Sequence, residues 1–144
     1  MRMNPLSQLS LRRRVQFYEV DSAGIVHFSW FFRYMEEAEH ALWREAGLSI
    51  APGGSDIGFP RVSTSFDFHR PLRFEDEFDV RIRITAIKPK TIQYACLVSK
   101  TGERIATGAL IIACVRKGPD HTMAAIPIPD EIVSRFEIAL DGNA

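Results

Sequence analysis

Residues 15–46 read VQFYEVDSAGIVHFSWFFRYMEEAEHALWREA, and this stretch decides the fold. Its second half places large apolar residues at three- and four-residue spacing, with charged residues between them. The spaced apolar residues are Phe28, Phe31, Phe32, Met35, Ala38 and Leu42. This pattern predicts one long amphipathic helix over residues 28–46, and Gly47 is a suitable end. Trp30 and Tyr34 widen the apolar face, so we expect the helix to be covered on more than one side.

The rest of the chain alternates apolar and polar residues in short runs, which is typical of β-strands. One run, residues 11–18, precedes the helix, and a loop rich in glycine and proline follows the helix over residues 49–60. Four later runs are predicted to be strands: residues 62–69, 78–86, 91–99 and 104–116. The last two are apolar on both faces, which predicts central positions in the sheet. Pro129 and acidic residues open the segment 128–140, which favours a short C-terminal helix.

This order of elements predicts a single α+β domain over residues 1–144, in which a five-stranded, mostly antiparallel sheet packs against one long helix. One helix covers one face of such a sheet, whereas the strands carry apolar residues on both faces. We therefore expect the second face to meet another copy of the chain, in a homodimer or a homotetramer.

Composition and charge argue against several classes of protein. The 18 basic and 18 acidic residues cancel, so no broad positive field favours nucleic acid or an anionic membrane. No window approaches the roughly 20 apolar residues of a membrane span, and no apolar core of a secretion signal precedes the first strand. Cys96 and Cys114 lie in apolar runs without a CxxC spacing, which predicts reduced core thiols. We expect a cytoplasmic protein, and no histidine spacing predicts a metal site.

The loop before the helix carries the residues best suited to chemistry. Asp21 lies about seven residues before the helix and could attack a carbonyl carbon or activate water as a general base. A capping aspartate would normally stand next to the helix, which favours the chemical role. The first amides of a helix lack intrahelical partners, so the Phe28 amide could stabilise an oxyanion. Glu36, Glu37 and Glu39 are predicted to lie on the solvated face of the helix.

The run Asp21-Ser22-Ala23-Gly24-Ile25-Val26 resembles the start of the 4-hydroxybenzoyl-CoA thioesterase and YbgC-like branch of the hotdog superfamily. Residues 70–77, RPLRFEDE, are similar to the Arg-Pro turn and acidic bend of that branch, and the order of elements matches. The resemblance covers nearly the whole chain and implies a hotdog fold, in which the sheet wraps around the central helix. His27-Phe28 departs from the Tyr-His or Trp-Tyr of many relatives at this point.

The resemblance implies an acyl-CoA thioesterase that hydrolyses a small or medium acyl-CoA to the free acid and coenzyme A. It implies catalysis by Asp21, with the Phe28 amide at the oxyanion site and His27 as a weaker candidate. Coenzyme A is then part of the substrate, no cofactor is implied, and the site lies at a subunit interface. The implied substrate-binding residues are Gly24, Val26, Lys88 and Lys90, with the two lysines as phosphate contacts at a strand turn.

Two alternatives stay open from the residues. His27-Phe28 is faintly similar to the His-Phe-Pro of hotdog hydratases and dehydratases, but Ser29 replaces the proline. A non-catalytic subunit that binds acyl-CoA could keep the same fold without turnover. The intact Asp21 favours an enzyme over such a subunit.

Overall fold

The computed structural model describes residues 4–140, so the two ends of the predicted domain, residues 1–3 and 141–144, lie outside the described residues. The elements follow one another along the chain in an order close to the expected one. They are β1 Gln8–Arg14, α1 Ser29–Glu45, β2 Ile57–Gly58, β3 Arg61–Phe68, β4 Glu77–Ile87, β5 Thr91–Lys100, β6 Glu103–Ala113, β7 Val115–Lys117, β8 Met123–Ala125 and α2 Asp130–Val133. Neither α1 nor α2 combines the length and the hydropathy that crossing a membrane requires.

A five-stranded antiparallel sheet forms the larger layer, in the order β1-β4-β5-β6-β3. β5 and β6 lie inside the sheet, as their apolar runs predict. A smaller sheet has the order β2-β7-β8. The prediction of one unbroken strand over residues 104–116 was wrong, because Cys114 leaves the β6 ladder between the two sheets. Its N–H donates to the Lys90 carbonyl at 2.8 Å, and its carbonyl accepts the Ile126 N–H at 3.0 Å.

The helix α1 packs against one face of the larger sheet, and the core lies between them. Tyr34, Ala38 and Leu42 of α1 are fully buried, as are alternate residues of the strands that face them. Each large apolar side chain buried in this way contributes about 1.5–3 kcal/mol relative to exposure. Cys96 and Cys114 are buried free thiols, as predicted, and burial raises the pKa of Cys96 to about 12.

Within residues 4–140, no helix covers the opposite face of the larger sheet. Its centre carries small and apolar side chains, with Ala95 paired to Ala109 and Leu97 paired to Thr107 across β5 and β6. These positions are half-buried or exposed in the single chain, whereas the alternate residues of β5 are buried under α1. This face is therefore the apolar surface from which the homo-oligomer was predicted.

The first strand lies earlier than the predicted residues 11–18. β1 ends at Arg14, and residues Phe17–Glu19 form a single 3-10 turn. The turn forms because the Glu19 carboxylate accepts the Gln16 N–H at 2.9 Å, while the Glu19 N–H donates to the Gln16 carbonyl at 3.0 Å. Val15 is therefore buried and Phe17 is 73% exposed, so the prediction that both share one strand face was wrong.

Glu39 of α1 is fully buried, which corrects the prediction that it lies on the solvated helix face. Arg61, at the start of β3, donates hydrogen bonds to both of its carboxylate oxygens, and the Tyr94 hydroxyl bonds to the same group. Burial raises the pKa of Glu39, although Arg61 opposes that shift. Glu36 and Glu37 do lie at the partly exposed surface of the helix, at 50% and 44% side-chain exposure.

Candidate active site

Asp21 lies in a tight hairpin turn that connects Val20 to Val26, which pair as an antiparallel bridge. The Asp21 N–H donates to the Ile25 carbonyl and the Gly24 N–H donates to the Asp21 carbonyl, each at 2.9 Å. Gly24 has a φ of +81°, a left-handed conformation that glycine adopts without steric cost. A turn closed by a left-handed glycine is a common short hairpin, which explains why the sequence has glycine here.

The Asp21 carboxylate has one bonded oxygen and one without a partner. Its Oδ1 accepts the Ala23 N–H at 2.8 Å, which forms an Asx turn and fixes the side chain. No donor within residues 4–140 bonds Oδ2. The residue belongs to no group of three or more His, Cys, Asp or Glu side chains in this part of the chain that could hold a metal ion. Asp21 is thus an oriented carboxylate with one oxygen available for chemistry.

Asp21 lines a cavity of about 440 Å³ between the amino end of α1 and the carboxyl end of β3. The volume is within the range of about 300–1,000 Å³ that small-molecule sites occupy. Aromatic rings form much of the wall: Phe28 and Phe31 from the helix side and Phe68 from β3. Phe31 and Phe68 meet edge to face with their ring centroids 5.1 Å apart. The cavity therefore offers an apolar, aromatic surface beside one carboxylate.

The start of α1 provides one amide without an acceptor. The His27 N–H donates to the Glu19 carbonyl at 2.9 Å, the Ser29 N–H to His27 Nδ1 at 3.3 Å, and the Trp30 N–H to the His27 carbonyl at 3.0 Å. By contrast, no acceptor in the described part of the chain bonds the Phe28 N–H. Phe28 also lines the Asp21 cavity. An unpaired amide at the positive end of a helix is suited to hold negative charge.

His27 holds the start of the helix and does not line the Asp21 cavity. Its Nδ1 lies 2.8 Å from the Ser29 hydroxyl oxygen and accepts the Ser29 N–H, and its ring packs on Phe28 with centroids 4.6 Å apart. The imidazole thus takes the place of the serine or aspartate that usually accepts the first helical amides. No hydrogen bond in the described part of the chain joins His27 to Asp21.

The two predicted binding residues of the loop lie in different places. Val26 is buried and lines the cavity, where its N–H donates to the Leu72 carbonyl at 2.8 Å. Gly24 shapes the turn and is not part of the cavity wall. The structure therefore brings Asp21, Val26 and Phe28 together.

Lys88 and Lys90 are not brought to Asp21 within one chain. They occupy the turn between β4 and β5, whereas the Asp21 loop pairs through Ile25 with Arg73, just before β4 begins. The 11 residues of β4 separate these two ends. At about 3.3 Å per residue, the separation along the strand is roughly 35 Å.

The cavity wall also contains two polar residues that were not predicted to belong to the site, His69 and Arg70. The His69 Nε2 lies 3.1 Å from the Thr107 hydroxyl oxygen, and the Arg70 Nε lies 3.0 Å from a Glu103 carboxylate oxygen. Arg70 begins the Arg-Pro segment that carried part of the resemblance, but no sequence signal placed that segment beside Asp21. The proximity arises because the end of β3 packs over the start of α1.

A family model described as the thioesterase-like superfamily matches residues 15–136, which include every residue of the site. The chain is 32% identical over 118 residues to a 1,4-dihydroxy-2-naphthoyl-CoA hydrolase of Prochlorococcus marinus (strain MIT 9303). That match covers 76% of this chain and 78% of the relative.

Solved structures agree with the fold. A gentisyl-coenzyme A thioesterase superposes with a TM-score of 0.78 at 29% identity, covering 90% of this chain and 100% of that one. The 4-hydroxybenzoyl-CoA thioesterase of Pseudomonas sp. strain CBS-3 gives a TM-score of 0.80 at 20% identity, over 90% of this chain and 99% of that one, and shows likeness of fold alone. The predicted hotdog fold, with an antiparallel sheet around one central helix, is confirmed.

Proposed function

Because the chain belongs to the thioesterase-like superfamily, whose named relatives are hydrolases of acyl-CoA thioesters, we propose that it hydrolyses an acyl-CoA at the Asp21 cavity. The products are the free acid and coenzyme A. The observation that carries this proposal is that two groups without hydrogen-bond partners in residues 4–140, the Asp21 Oδ2 and the Phe28 N–H, belong to residues that line the same cavity. Thioester hydrolysis needs both a basic or nucleophilic oxygen and a donor for the developing oxyanion.

The chemistry follows from these two groups. Asp21 either takes a proton from a water molecule that attacks the thioester carbonyl, or attacks that carbon itself to form an anhydride that water then hydrolyses. In both routes the carbon–sulfur bond breaks and the coenzyme A thiolate leaves and is protonated. The Phe28 N–H and the helix dipole stabilise the oxyanion, and a single donor of this kind lowers a barrier by about 3 kcal/mol.

A single turnover in water enriched in oxygen-18 separates the two routes for Asp21. A general base directs labelled water onto the acyl carbon, so the first acid released carries the label. A nucleophilic Asp21 whose anhydride is opened by water at the aspartyl carbon gives its own unlabelled oxygen to that first product and becomes labelled itself. Water attack at the acyl carbon of the anhydride would label the first acid instead, and rapid-quench detection of the acylated enzyme distinguishes that case from a general base.

We further propose that the acyl group is aromatic. The named relatives act on 1,4-dihydroxy-2-naphthoyl-CoA and gentisyl-CoA. In this chain, Phe28, Phe31 and Phe68 line the cavity beside Asp21. Offset or edge-to-face contacts between aromatic rings contribute about 0.5–1.5 kcal/mol beyond their buried area, which favours an aromatic acyl group over an alkyl chain.

Coenzyme A phosphates would then be bound by a second copy of the chain. Lys88 and Lys90 lie at the far end of the sheet from the Asp21 of their own protomer, so they can serve its substrate only from a partner subunit. The uncovered apolar face of β5 and β6 supplies a surface for such a homodimer or homotetramer. On this proposal the site lies at a subunit interface, no cofactor is needed, and the enzyme works in the cytoplasm.

An assay of free thiol release from a panel of acyl-CoAs tests the function. We expect kcat/KM to be highest for benzoyl, hydroxybenzoyl and dihydroxynaphthoyl thioesters and lower for acetyl, hexanoyl and palmitoyl thioesters. Binding of the whole panel without thiol release would favour a non-catalytic subunit. Loss of water from 3-hydroxyacyl-CoA would favour the hydratase and dehydratase branch. Either result would overturn the proposed hydrolysis.

A further inference from the structure

Glu19 has a fully buried carboxylate two residues before Asp21, and the proposed chemistry does not use it. Its Oε1 accepts the Gln16 N–H at 2.9 Å and the Tyr34 hydroxyl at 2.8 Å. Its Oε2 forms an ion pair with Arg13 Nη1 at 2.6 Å. The carboxylate thus joins the end of β1, the following turn and the second turn of α1.

The backbone of Glu19 reaches the other half of the proposed site. Its carbonyl accepts the N–H of His27, the residue just before Phe28, at 2.9 Å. Asp21 is two residues away in one direction along the chain, and the Phe28 amide is one residue from the bonded His27. Glu19 is therefore the point at which the strand, the Asp21 turn and the start of the helix are tied together.

The charge of Glu19 is compensated locally. Arg13 also donates to Glu37 at 2.8 Å, and its guanidinium lies 4.7 Å from the centre of the Tyr34 ring. Burial raises the pKa of Tyr34 far above its ordinary value, and the neighbouring Glu19 raises it further, so Tyr34 keeps the proton that it donates. The charges of this buried network are paired, although Arg13 Nη1 and Glu19 Oε2 meet as an ion pair without hydrogen-bond geometry, and removing one member is costly.

We propose that Glu19 is a positioning residue, which sets the Asp21 carboxylate and the Phe28 amide at the separation that thioester hydrolysis needs. The inference rests on the proposed function of that site. A reacting group displaced by about 1 Å can lose on the order of 10²-fold in rate without losing substrate affinity. Replacing Glu19 should therefore lower kcat, because the Asp21 carboxylate and the Phe28 amide move, and should leave KM nearly unchanged.

The chain contains a matched control for this idea. Glu39 is also fully buried on the helix side, paired with an arginine, Arg61, and bonded to a tyrosine, Tyr94. It lies 11 residues beyond Phe28, which is about 16 Å along the helix axis. Its replacement should cost comparable stability, but it has no connection to the Asp21 turn.

The test measures kcat, KM and thermal unfolding for Glu19→Gln, Glu39→Gln and Tyr34→Phe, with Asp21→Asn alongside. We expect Glu19→Gln to lower kcat by about 10- to 100-fold with little change in KM. Tyr34→Phe, which keeps the ring, should lower kcat in the same direction by less. Glu39→Gln should lower the unfolding temperature but leave kcat unchanged. In the Asp21→Asn background, Glu19→Gln should cause a smaller additional loss than in the wild type, because only the Phe28 amide then remains to be positioned.

Three results would overturn the positioning role while leaving the proposed function intact. Equal kcat losses in Glu19→Gln and Glu39→Gln would assign the effect to stability, and a normal kcat in a folded Glu19→Gln would remove the effect altogether. A loss confined to KM would point to substrate binding instead. If the wild type releases no thiol, or if Asp21→Asn retains turnover, the proposed function fails and this inference fails with it. Loss in Asp21→Asn with a normal kcat in Glu19→Gln refutes the positioning role alone.

Discussion

The Asp21 carboxylate can serve both the turn and the proposed chemistry. The bond from the Ala23 N–H to Oδ1 closes the Asx turn, and the same bond fixes the direction of the free Oδ2. Turn formation and catalysis are therefore compatible at this residue, since a reactive group held by local bonds is already oriented before substrate arrives. At the start of the helix, His27 Nδ1 accepts the Ser29 N–H, while the Phe28 N–H has no acceptor in residues 4–140.

Gly24 is the residue on which the shape of the Asp21 turn depends. Its left-handed φ of +81° costs a residue with a side chain about 1–2 kcal/mol, so Gly24→Ala should lower the free energy of unfolding by about that amount. Denaturant unfolding measures the change, and thiol release should fall as the turn distorts. Gly53→Ala is the control, because Gly53 has no left-handed φ and a Cβ there would meet no atom within 4 Å. Equal behaviour of the two variants would contradict this explanation.

At the scale of elements, α1 is held to the sheet by a buried ion pair as well as by apolar packing. Glu39→Ala would remove the buried carboxylate that both Arg61 and the Tyr94 hydroxyl bond, and because Arg61 keeps Glu36 we expect the free energy of unfolding to fall by an amount at the lower end of about 3–5 kcal/mol. Urea unfolding gives the value. Glu36→Ala is the control, because Glu36 contacts the same Arg61 at 3.0 Å but is 50% exposed, and a pair of that kind contributes less than about 1 kcal/mol. Similar losses in both variants would show that burial does not decide the cost.

The elements that were best predicted from the sequence are those with a long run of regularly spaced apolar residues. The 17 residues of α1 and the strands β3 to β6 carry enough periodic residues to identify each of them. β2 and β8 have only two and three residues, too few for any period, and they exist because β7 pairs with both. β1 ended early because Glu19 folds the chain into a turn, a contact that alternation does not reveal.

In the candidate site, too, residues marked by a local sequence pattern were predicted, and residues that depend on contacts between distant segments were not. Phe28 was chosen because it stands at the predicted start of the helix, and Asp21 because it begins the run Asp21-Ser22-Ala23-Gly24-Ile25-Val26 that carries the resemblance. His69 was missed because it reaches the cavity only through packing of the end of β3 on α1. Glu39 looked like a surface residue because its partner Arg61 is 22 positions further along the chain.

At the scale of the whole molecule, one protomer does not bring together all the groups that are proposed to bind and hydrolyse the substrate. Lys88 and Lys90 are separated from the Asp21 loop by the length of β4. If they bind the phosphates of the same substrate, each site combines Asp21 of one subunit with the lysines of another. This arrangement makes the oligomer a condition of activity.

Mixed oligomers test that arrangement. Asp21→Asn and the double variant Lys88→Ala with Lys90→Ala should each be weak alone, the first through kcat and the second through KM. Refolded or co-expressed together, they should regain thiol release, because some sites then combine a native Asp21 with native lysines. The thiol release of oligomers that mix Asp21→Asn with wild-type subunits is the level with which the regained activity is compared. Failure to regain activity in oligomers shown to be mixed would contradict a site shared between subunits.

The most direct test of the whole account is the turnover of Asp21→Asn. Asparagine keeps the carbonyl oxygen that accepts the Ala23 N–H, so the turn is preserved while the charge and the basicity are removed. We predict that thiol release falls by about 10²- to 10⁴-fold, with the fold and the assembly unchanged, and that Asp21→Ala loses at least as much. Turnover close to that of the wild type in a folded Asp21→Asn would contradict the account, because the carboxylate would then serve only the turn.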